Sequence, residues 1–233
     1  MNILITGAGR GLGVELVKLA AERGHSVIAC VRETTEISES LAAASSQFPG
    51  LIRIERLEVT SEADAAALAD KLRSESLKLD GIVNNAAILQ GRELKIESLA
   101  LQMMKESFDV NVVGAINVAK HMVPLISEQS GAVVMNVSSE SGSFSRAYGG
   151  DYPYAISKAA LNYFSKQLGS ELRGRGIRVL AVHPGWMRTD MGGEQAPLNA
   201  SESAGGMLDL LEGRTAVGEN VFFVDYTGRE LAI

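Results

Sequence analysis

The most pointed chemistry in the sequence lies in two side chains four residues apart, Tyr154 and Lys158 in Y-A-I-S-K. A four-residue step along a helix brings both to one face, so a phenol and an ammonium would share one site. A free tyrosine loses its proton near pH ~10, too high for a base at neutrality. An ammonium held about 4 Å away would stabilise the phenolate by roughly 4 kcal/mol at an effective dielectric of ~20. That sets a ceiling of about three pKa units before desolvation takes its share. A phenol and an ammonium so placed are candidates for a shared site, no more. Alone the spacing is weak, because a packed tyrosine and a solvated lysine fall at it by chance in many helices. Weight comes from other polar groups: Asn84 to Ala87 (N-N-A-A), Asn111, Asn136 to Ser139 (N-V-S-S) and His183 to Asp190 (H-P-G-W-M-R-T-D).

A second constellation suits a phosphate. The chain opens M-N-I-L-I-T-G-A-G-R-G-L-G, with glycine at every second position from Gly7 to Gly13 directly after an apolar run. Glycine loses more conformational freedom on folding than any other residue, so four together imply a tight turn and a close approach. At a strand-to-helix junction the free amides and the positive end of the helix dipole point at a ligand, and glycine lets a phosphate reach the backbone. The spacing is not G-x-G-x-x-G, which would need glycine at Leu12, and the G-K-[ST] ending of a P-loop is missing. What stands here is T-G-x-x-x-G-x-G: Thr6, Gly7, Gly11 and Gly13.

Both constellations need a scaffold, and the hydrophobic pattern supplies one. Ile3 to Ile5, Ser26 to Val31, Leu51 to Leu57, Gly81 to Val83, Ala132 to Val137, Ile177 to Val182 and Val221 to Val224 are too continuously apolar to have a wet face and read as buried strands. Leu12 to Arg23, Ser61 to Glu75, Leu99 to Glu128 and Tyr154 to Gly174 carry apolar residues at three- and four-residue spacing and read as helices. Ser61 followed by Asp64 predicts an N-cap. Alternating strands and helices imply a parallel sheet covered on both faces, with sites at the carboxyl ends of its strands. The polar groups named above fall at those ends or on adjoining helices. Gly192 to Gly206, rich in Gly, Ala and Ser, reads as a candidate mobile loop.

Composition narrows the function. The 233 residues are 46% hydrophobic and 21% charged, enough for one full core and one domain over 1–233. The net charge of -6 and the lack of a Lys/Arg cluster argue against nucleic acid. Cys30 is alone and His25, His121 and His183 are scattered, so neither a disulfide within the chain nor a metal site is expected. No apolar run reaches the ~18 residues of a membrane span, and no basic leader opens the chain. A soluble cytoplasmic protein is expected.

From Thr6 to about Asp190 the pattern resembles the short-chain dehydrogenase/reductase family, nearest its carbonyl reductases of the sniffer and C-factor type. Ser138-Ser139-Glu140-Ser141-Gly142-Ser143, Gly149-Gly150-Asp151-Tyr152-Pro153-Tyr154, Ser157 to Asn162 and His183 to Gly193 carry the likeness, and Val221 to Tyr226 with Gly228 to Leu231 extend it. The resemblance implies a single doubly wound Rossmann-type α/β domain with a seven-stranded parallel sheet in the order 3-2-1-4-5-6-7. It also implies that Tyr154 is the general acid in carbonyl reduction, that Ser139 holds the substrate oxygen, that Lys158 binds the nicotinamide ribose and that Asn111 fixes a water in a proton relay. Cofactor contacts are expected from Gly7, Arg10, Gly11, Leu12, Gly13, Arg32, Glu58, Val59, Asn85, Ala86, Ala87, Tyr154, Lys158, Pro184, Gly185, Met187 and Thr189. Ala87 stands where the family more often has glycine. Ser139 lies fifteen residues before Tyr154, two more than is common, so Ser141 is a rival for the serine role. Ser139 is preferred because it ends the strand and Gly149-Gly150 can absorb an insertion. His183 reads as a packed residue.

The cofactor follows from the end of the second strand, C-V-R-E. An NAD enzyme places an acidic residue about twenty positions after the glycines. Here Arg32 precedes Glu33, and Arg10 adds a second cation; charge-assisted bonds to a 2′-phosphate are worth roughly 1.5 to 3 kcal/mol each. NADP(H) is expected, with a small carbonyl or alcohol substrate. Trp186, Tyr148, Phe144 and Met187 are expected to wall an apolar pocket. Apolar surface on the two longest predicted helices, and family habit, predict a homodimer. The rival readings are a nucleotide-sensing or signalling protein on the same fold, and a sugar-nucleotide epimerase or dehydratase, which the glycine spacing disfavours.

Overall fold

The computed structural model of the chain describes residues 1–127 and 131–233. Among them seven strands, β1 (Asn2–Thr6), β2 (Ser26–Val31), β3 (Ile52–Arg56), β4 (Gly81–Asn84), β5 (Val133–Val137), β6 (Arg178–His183) and β7 (Phe223–Asp225), form one parallel sheet ordered β3-β2-β1-β4-β5-β6-β7. Around it lie α1 (Gly11–Glu22), α2 (Glu39–Gln47), α3 (Glu62–Ser74), α4 (Leu101–Phe108), α5 (Gly114–Met122), α6 (Tyr152–Leu172) and α7 (Ala200–Leu211). Alternation along the strands splits the core in two. Ile3, Ile5, Val27, Val83, Met135 and Leu180 pack with Leu16 of α1, Leu41 of α2 and Leu208 of α7. Leu4, Ile28, Ile82, Val134 and Val179 pack with Leu68 of α3, Val118 of α5 and Leu172 of α6. Both faces are thus dry, which is why the strands read as continuous apolar runs. Cys30 points into the second cluster, where burial, helped by Glu55, pushes its thiol far above the ordinary range. No helix among the described residues is long and apolar enough to cross a membrane.

The strand order reverses between β1 and β4, and that switch point is where a parallel sheet opens a crevice. Local signals hold the flanking helices as the sequence predicts. Ser61 Oγ accepts the Asp64 N–H at 3.2 Å, and Lys71 and Arg73 sit in the last turn of α3, where cations oppose the negative end of its dipole.

Three elements differ from the sequence reading. The helix expected over Leu99 to Glu128 is α4, a π segment at Asp109–Val113, α5 and a 3₁₀ turn at Val123–Leu125 that carries Pro124. Ile126 then bridges to Leu79, and Glu128 lies outside the described residues. The Gly192 to Gly206 stretch is loop only as far as Asn199, because Ala204, Met207 and Leu208 bury one face of α7. The α2 helix was not foreseen, and in E-S-L-A-A-A-S-S-Q only Leu41 and Ala44 are buried.

Candidate active site

The carboxyl end of β5 and the start of α6 meet in a contact that leaves no room for a side chain. A Cβ on Gly142 would stand 2.6 Å from the Lys158 carbonyl carbon and 2.7 Å from Ala159 N, main-chain atoms that cannot yield. Ser138 Oγ donates to Asn162 Oδ1 at 2.5 Å, and Asn162 Nδ2 donates to the Gly142 carbonyl at 3.3 Å, so the S-S-E-S-G turn is tied to α6 at both ends. Beneath it Asn84 Nδ2 donates to Asn136 Oδ1 at 2.8 Å across the β4–β5 pair. Asn136 Nδ2 then donates to Ser165 Oγ on α6, also at 2.8 Å. Buried amides with fixed partners of this kind resist rearrangement.

On this footing the structure brings Ser139, Tyr154 and Lys158 together. Ser139, the N-cap of a 3₁₀ turn at Glu140–Gly142, accepts the Ser141 N–H and is hydrogen-bonded to the Tyr154 phenol. The rival Ser141 lies beside Tyr148 instead, its Oγ 3.3 Å from that phenol. Lys158 is 2% exposed; its Nζ donates to the Val137 carbonyl at 2.7 Å and stands 5.4 Å from the centre of the Tyr154 ring.

The electrostatics differ in sign from the sequence argument. Burial pushes the Tyr154 phenol up to about 12, and the bond to Ser139 recovers only part of the rise. Burial likewise brings the Lys158 amine down to about 7. Desolvation disfavours the charged form of each. An amine spent on a main-chain carbonyl does not deliver the phenolate stabilisation expected from a full ammonium at 4 Å, and the protein by itself keeps the phenol protonated.

Asn111 lies in the π segment, where the Gly114 N–H reaches back to the Asp109 carbonyl. Such bulges recur at functional sites. Its Oδ1 accepts the Ile88 N–H at 2.8 Å, and its Nδ2 donates to the Ile88 carbonyl and to Ser157 Oγ, both at 2.9 Å. The side chain clamps the loop after β4 onto α6.

The glycine turn sits at the switch point. A Cβ on Gly13 would overlap the Gly7 carbonyl, and one on Gly7 would come within 2.8 Å of Ala86 Cα. Asn85 Nδ2 braces the turn from the β4 side, donating to the carbonyls of Thr6 (2.9 Å) and Gly7 (3.1 Å), while Thr6 Oγ1 accepts the N–H groups of Asn85 and Ala86. Asn85 thus supports the turn with its side chain. The first turn of α1, with Leu12 and Gly13, has no acidic residue and no side-chain cap, so its leading amides face the crevice without a competing carboxylate. These features fit the pyrophosphate of a dinucleotide: free amides and the positive end of a helix dipole at the switch point, beside a shallow surface formed by Thr6, Val59, Ala86 and Gly114. Glu58 Oε1 accepts from the N–H and hydroxyl of Thr60.

At the adenosine end, Glu33 folds onto its own turn, where hydrogen bonds from Thr35 and Thr34 hold its carboxyl below the usual range. Arg32 is exposed and has no hydrogen-bond or ion-pair partner among the described residues. Arg10, expected as the second cation for a 2′-phosphate, is paired with Asp190 at 3.2 Å. After β6, Pro184 and Gly185 lead into a loop in which Met187 bridges to Leu198 and Thr189 lies against Gly11. The expected apolar pocket is not assembled. Met187 belongs to the core, and Trp186 (54%), Tyr148 (49%) and Phe144 (75%) are exposed. His183 is partly buried, its Nε2 3.8 Å from Glu140, and burial holds its ring below the ordinary value. Main-chain groups such as the Val137 carbonyl leave no mark in a sequence; Asp190 was in view, in H-P-G-W-M-R-T-D, without a role.

A family model for short chain dehydrogenases matches residues 1–199. C-signal of Myxococcus xanthus is 34% identical over 154 residues, covering 66% of this chain and 92% of that protein. The carbonyl reductase Sniffer of D. melanogaster superposes with a TM-score of 0.90 at 30% identity, over 100% of this chain and 99% of that one. An NADPH-bound carbonyl reductase from chicken fatty liver gives 0.86 at 27% identity, over 100% and 94%.

Proposed function

The chain belongs to the short-chain dehydrogenase family of oxidoreductases, and from that premise we propose that it is an NADP(H)-dependent carbonyl reductase, one catalytic domain that reduces an aldehyde or ketone to an alcohol. The observation that carries this reading is the grouping of Ser139, half-buried Tyr154 and buried Lys158 where the end of β5 meets the start of α6. When bound, the reduced nicotinamide supplies a hydride to the carbonyl carbon. Tyr154 gives the proton to the carbonyl oxygen, and its phenol, held up to about 12, is in the acid form at neutral pH. Ser139 orients that oxygen by hydrogen bonding and stabilises the charge that grows on it. Lys158 holds the ribose, and its amine, brought down to about 7 by burial, can exchange a proton near neutrality. Asn111 acts as a positioning residue through Ile88 and Ser157. Arg32, with Arg10, receives the 2′-phosphate, and the NADPH-bound carbonyl reductase neighbour supports that choice.

The test is oxidation of NADPH and NADH screened against aldehydes, ketones and quinones. The expected result is turnover of at least one carbonyl with NADPH preferred; a wild type that prefers NADH overturns the cofactor assignment. The likeness to C-signal favours a second reading, a signalling protein with incidental turnover, which predicts that no carbonyl is reduced efficiently.

We propose further that the chain works in the cytoplasm as a homodimer. Leu101, Val113 and Ile116 on the α4–α5 side and Ile156 and Tyr163 on α6 are exposed, more apolar surface than a lone helix pair leaves in water. Light scattering should return about twice the 24.7 kDa chain mass, and the monomer mass at micromolar concentration refutes the assembly.

A further inference from the structure

The loop after β6 is compact in itself and tied to both walls of the crevice. Within it Trp186 Nε1 donates to the Gly192 carbonyl at 2.7 Å and the Gly193 N–H to the Thr189 carbonyl at 2.8 Å. On one side Arg92, from the loop after β4, donates to the Met191 carbonyl at 2.7 Å. On the other, Arg10 in the glycine turn pairs with Asp190 at 3.2 Å, two side chains 76% and 80% exposed and 180 residues apart in sequence. Of these ties only the last joins a cation expected to serve the nucleotide to an anion the protein itself provides.

We infer that Asp190 is a cofactor-selectivity residue: it competes with a 2′-phosphate for Arg10, so that seating the phosphate releases the loop after β6 from the glycine turn. The inference rests on the NADP(H) reading above. A phosphate monoester carries nearly two charges and three acceptor oxygens against one carboxylate, so it takes the guanidinium. A solvated pair contributes little, so the competition it exerts is a few-fold in affinity. Arg32 stands unpaired and completes the phosphate site when Arg10 swings over. Release of the loop is observable because Trp186, the one tryptophan of the chain, lies four residues before Asp190.

The experiment measures dissociation constants by calorimetry, and Trp186 emission, for the full chain and its Asp190→Asn variant. The probes are adenosine 2′,5′-bisphosphate, AMP, NADPH and NADH. The inference expects Asp190→Asn to bind the bisphosphate and NADPH about two- to five-fold more tightly, with AMP and NADH unchanged. It expects the bisphosphate, and not AMP, to change the wild-type emission, and the variant to start near the changed spectrum. Equal gains for NADH and NADPH, no gain, or an emission insensitive to the 2′-phosphate overturns it while leaving the NADPH preference standing. Wild type binding AMP as tightly as the bisphosphate removes the underlying NADP(H) reading as well. Raising salt should erase the difference between wild type and Asp190→Asn, since screening acts on exposed pairs first.

Discussion

On the β5 side of the crevice Lys158 is 2% exposed with its amine fixed on a main-chain carbonyl, whereas on the β2 side Arg32 stands in solvent without a partner among the described residues. The first region is held by buried amides and hydroxyls on β4, β5 and α6 that hydrogen-bond one another. The second is held by one turn of backbone and by side chains free to swing. Proton transfer needs atoms placed to a fraction of an ångström, and the buried network supplies that. Choosing between two nucleotides needs only charge of the right sign nearby, and exposed arginines supply it. The difference teaches that the reaction is set by the core and the selectivity by the surface, so the two should fail separately.

The largest expected effect tests the buried side. Tyr154→Phe removes the proton carrier while keeping the ring, and kcat should fall by about 10² to 10⁴, the range of acid-base catalysis, with NADPH still bound. Retention of more than about a tenth of wild-type kcat would falsify the assignment and favour the signalling reading. A smaller effect tests the exposed side. Arg32→Asp should raise KM for NADPH about ten-fold or more, a matter of ~1.4 kcal/mol, and leave kcat near wild type. A comparable fall in kcat would mean that the two regions are coupled after all.

The smallest effect sharpens the contrast through pH. The folded chain holds Lys158 near about 7, whereas the unfolded chain holds it near its ordinary ~10.4. Between those values the unfolded state binds the extra proton, so this group makes stability rise with pH across the window; below about 7 both states are protonated and the cost of burying the charge is fully present. Removing the amine in Lys158→Met should therefore make the Tm gap between wild type and variant shift in favour of wild type from pH 7 to 10. A gap independent of pH indicates a lysine that titrates normally. For Arg32→Asp, whose arginine stays charged throughout, no such drift is expected.

What the sequence disclosed follows the same division. Ser26–Val31 is β2 to the residue, and Ser61 caps α3, because burial on two faces and capping are local signals. The parallel order was readable because it rests on alternation and on where the glycines fall. Helix α2 escaped because E-S-L-A-A-A-S-S-Q buries too little to show a period, and α7 because glycine, alanine and serine look like a loop until tertiary packing makes a helix of them. Ser139, Tyr154 and Lys158 were legible from spacing. The environment of the pair was not: the Val137 carbonyl that accepts the lysine's hydrogen bond is main chain, and the desolvation that reverses the expected pKa direction of Tyr154 comes from tertiary packing. The Arg10–Asp190 contact joins residues 180 apart in sequence, and no pattern in either neighbourhood announces it.

The position of Cys30 has a practical consequence. It faces inward from β2 among Leu57 and Ile82, and burial keeps its thiol from ionising, so alkylating reagents and mild oxidants should pass it by in the native protein. The fold is thus chemically silent toward maleimide dyes. A cysteine placed on the glycine-turn rim would be the single reactive handle, and Trp186 the single intrinsic donor. Energy transfer between the two could follow loop and turn in real time without first stripping the chain of competing groups.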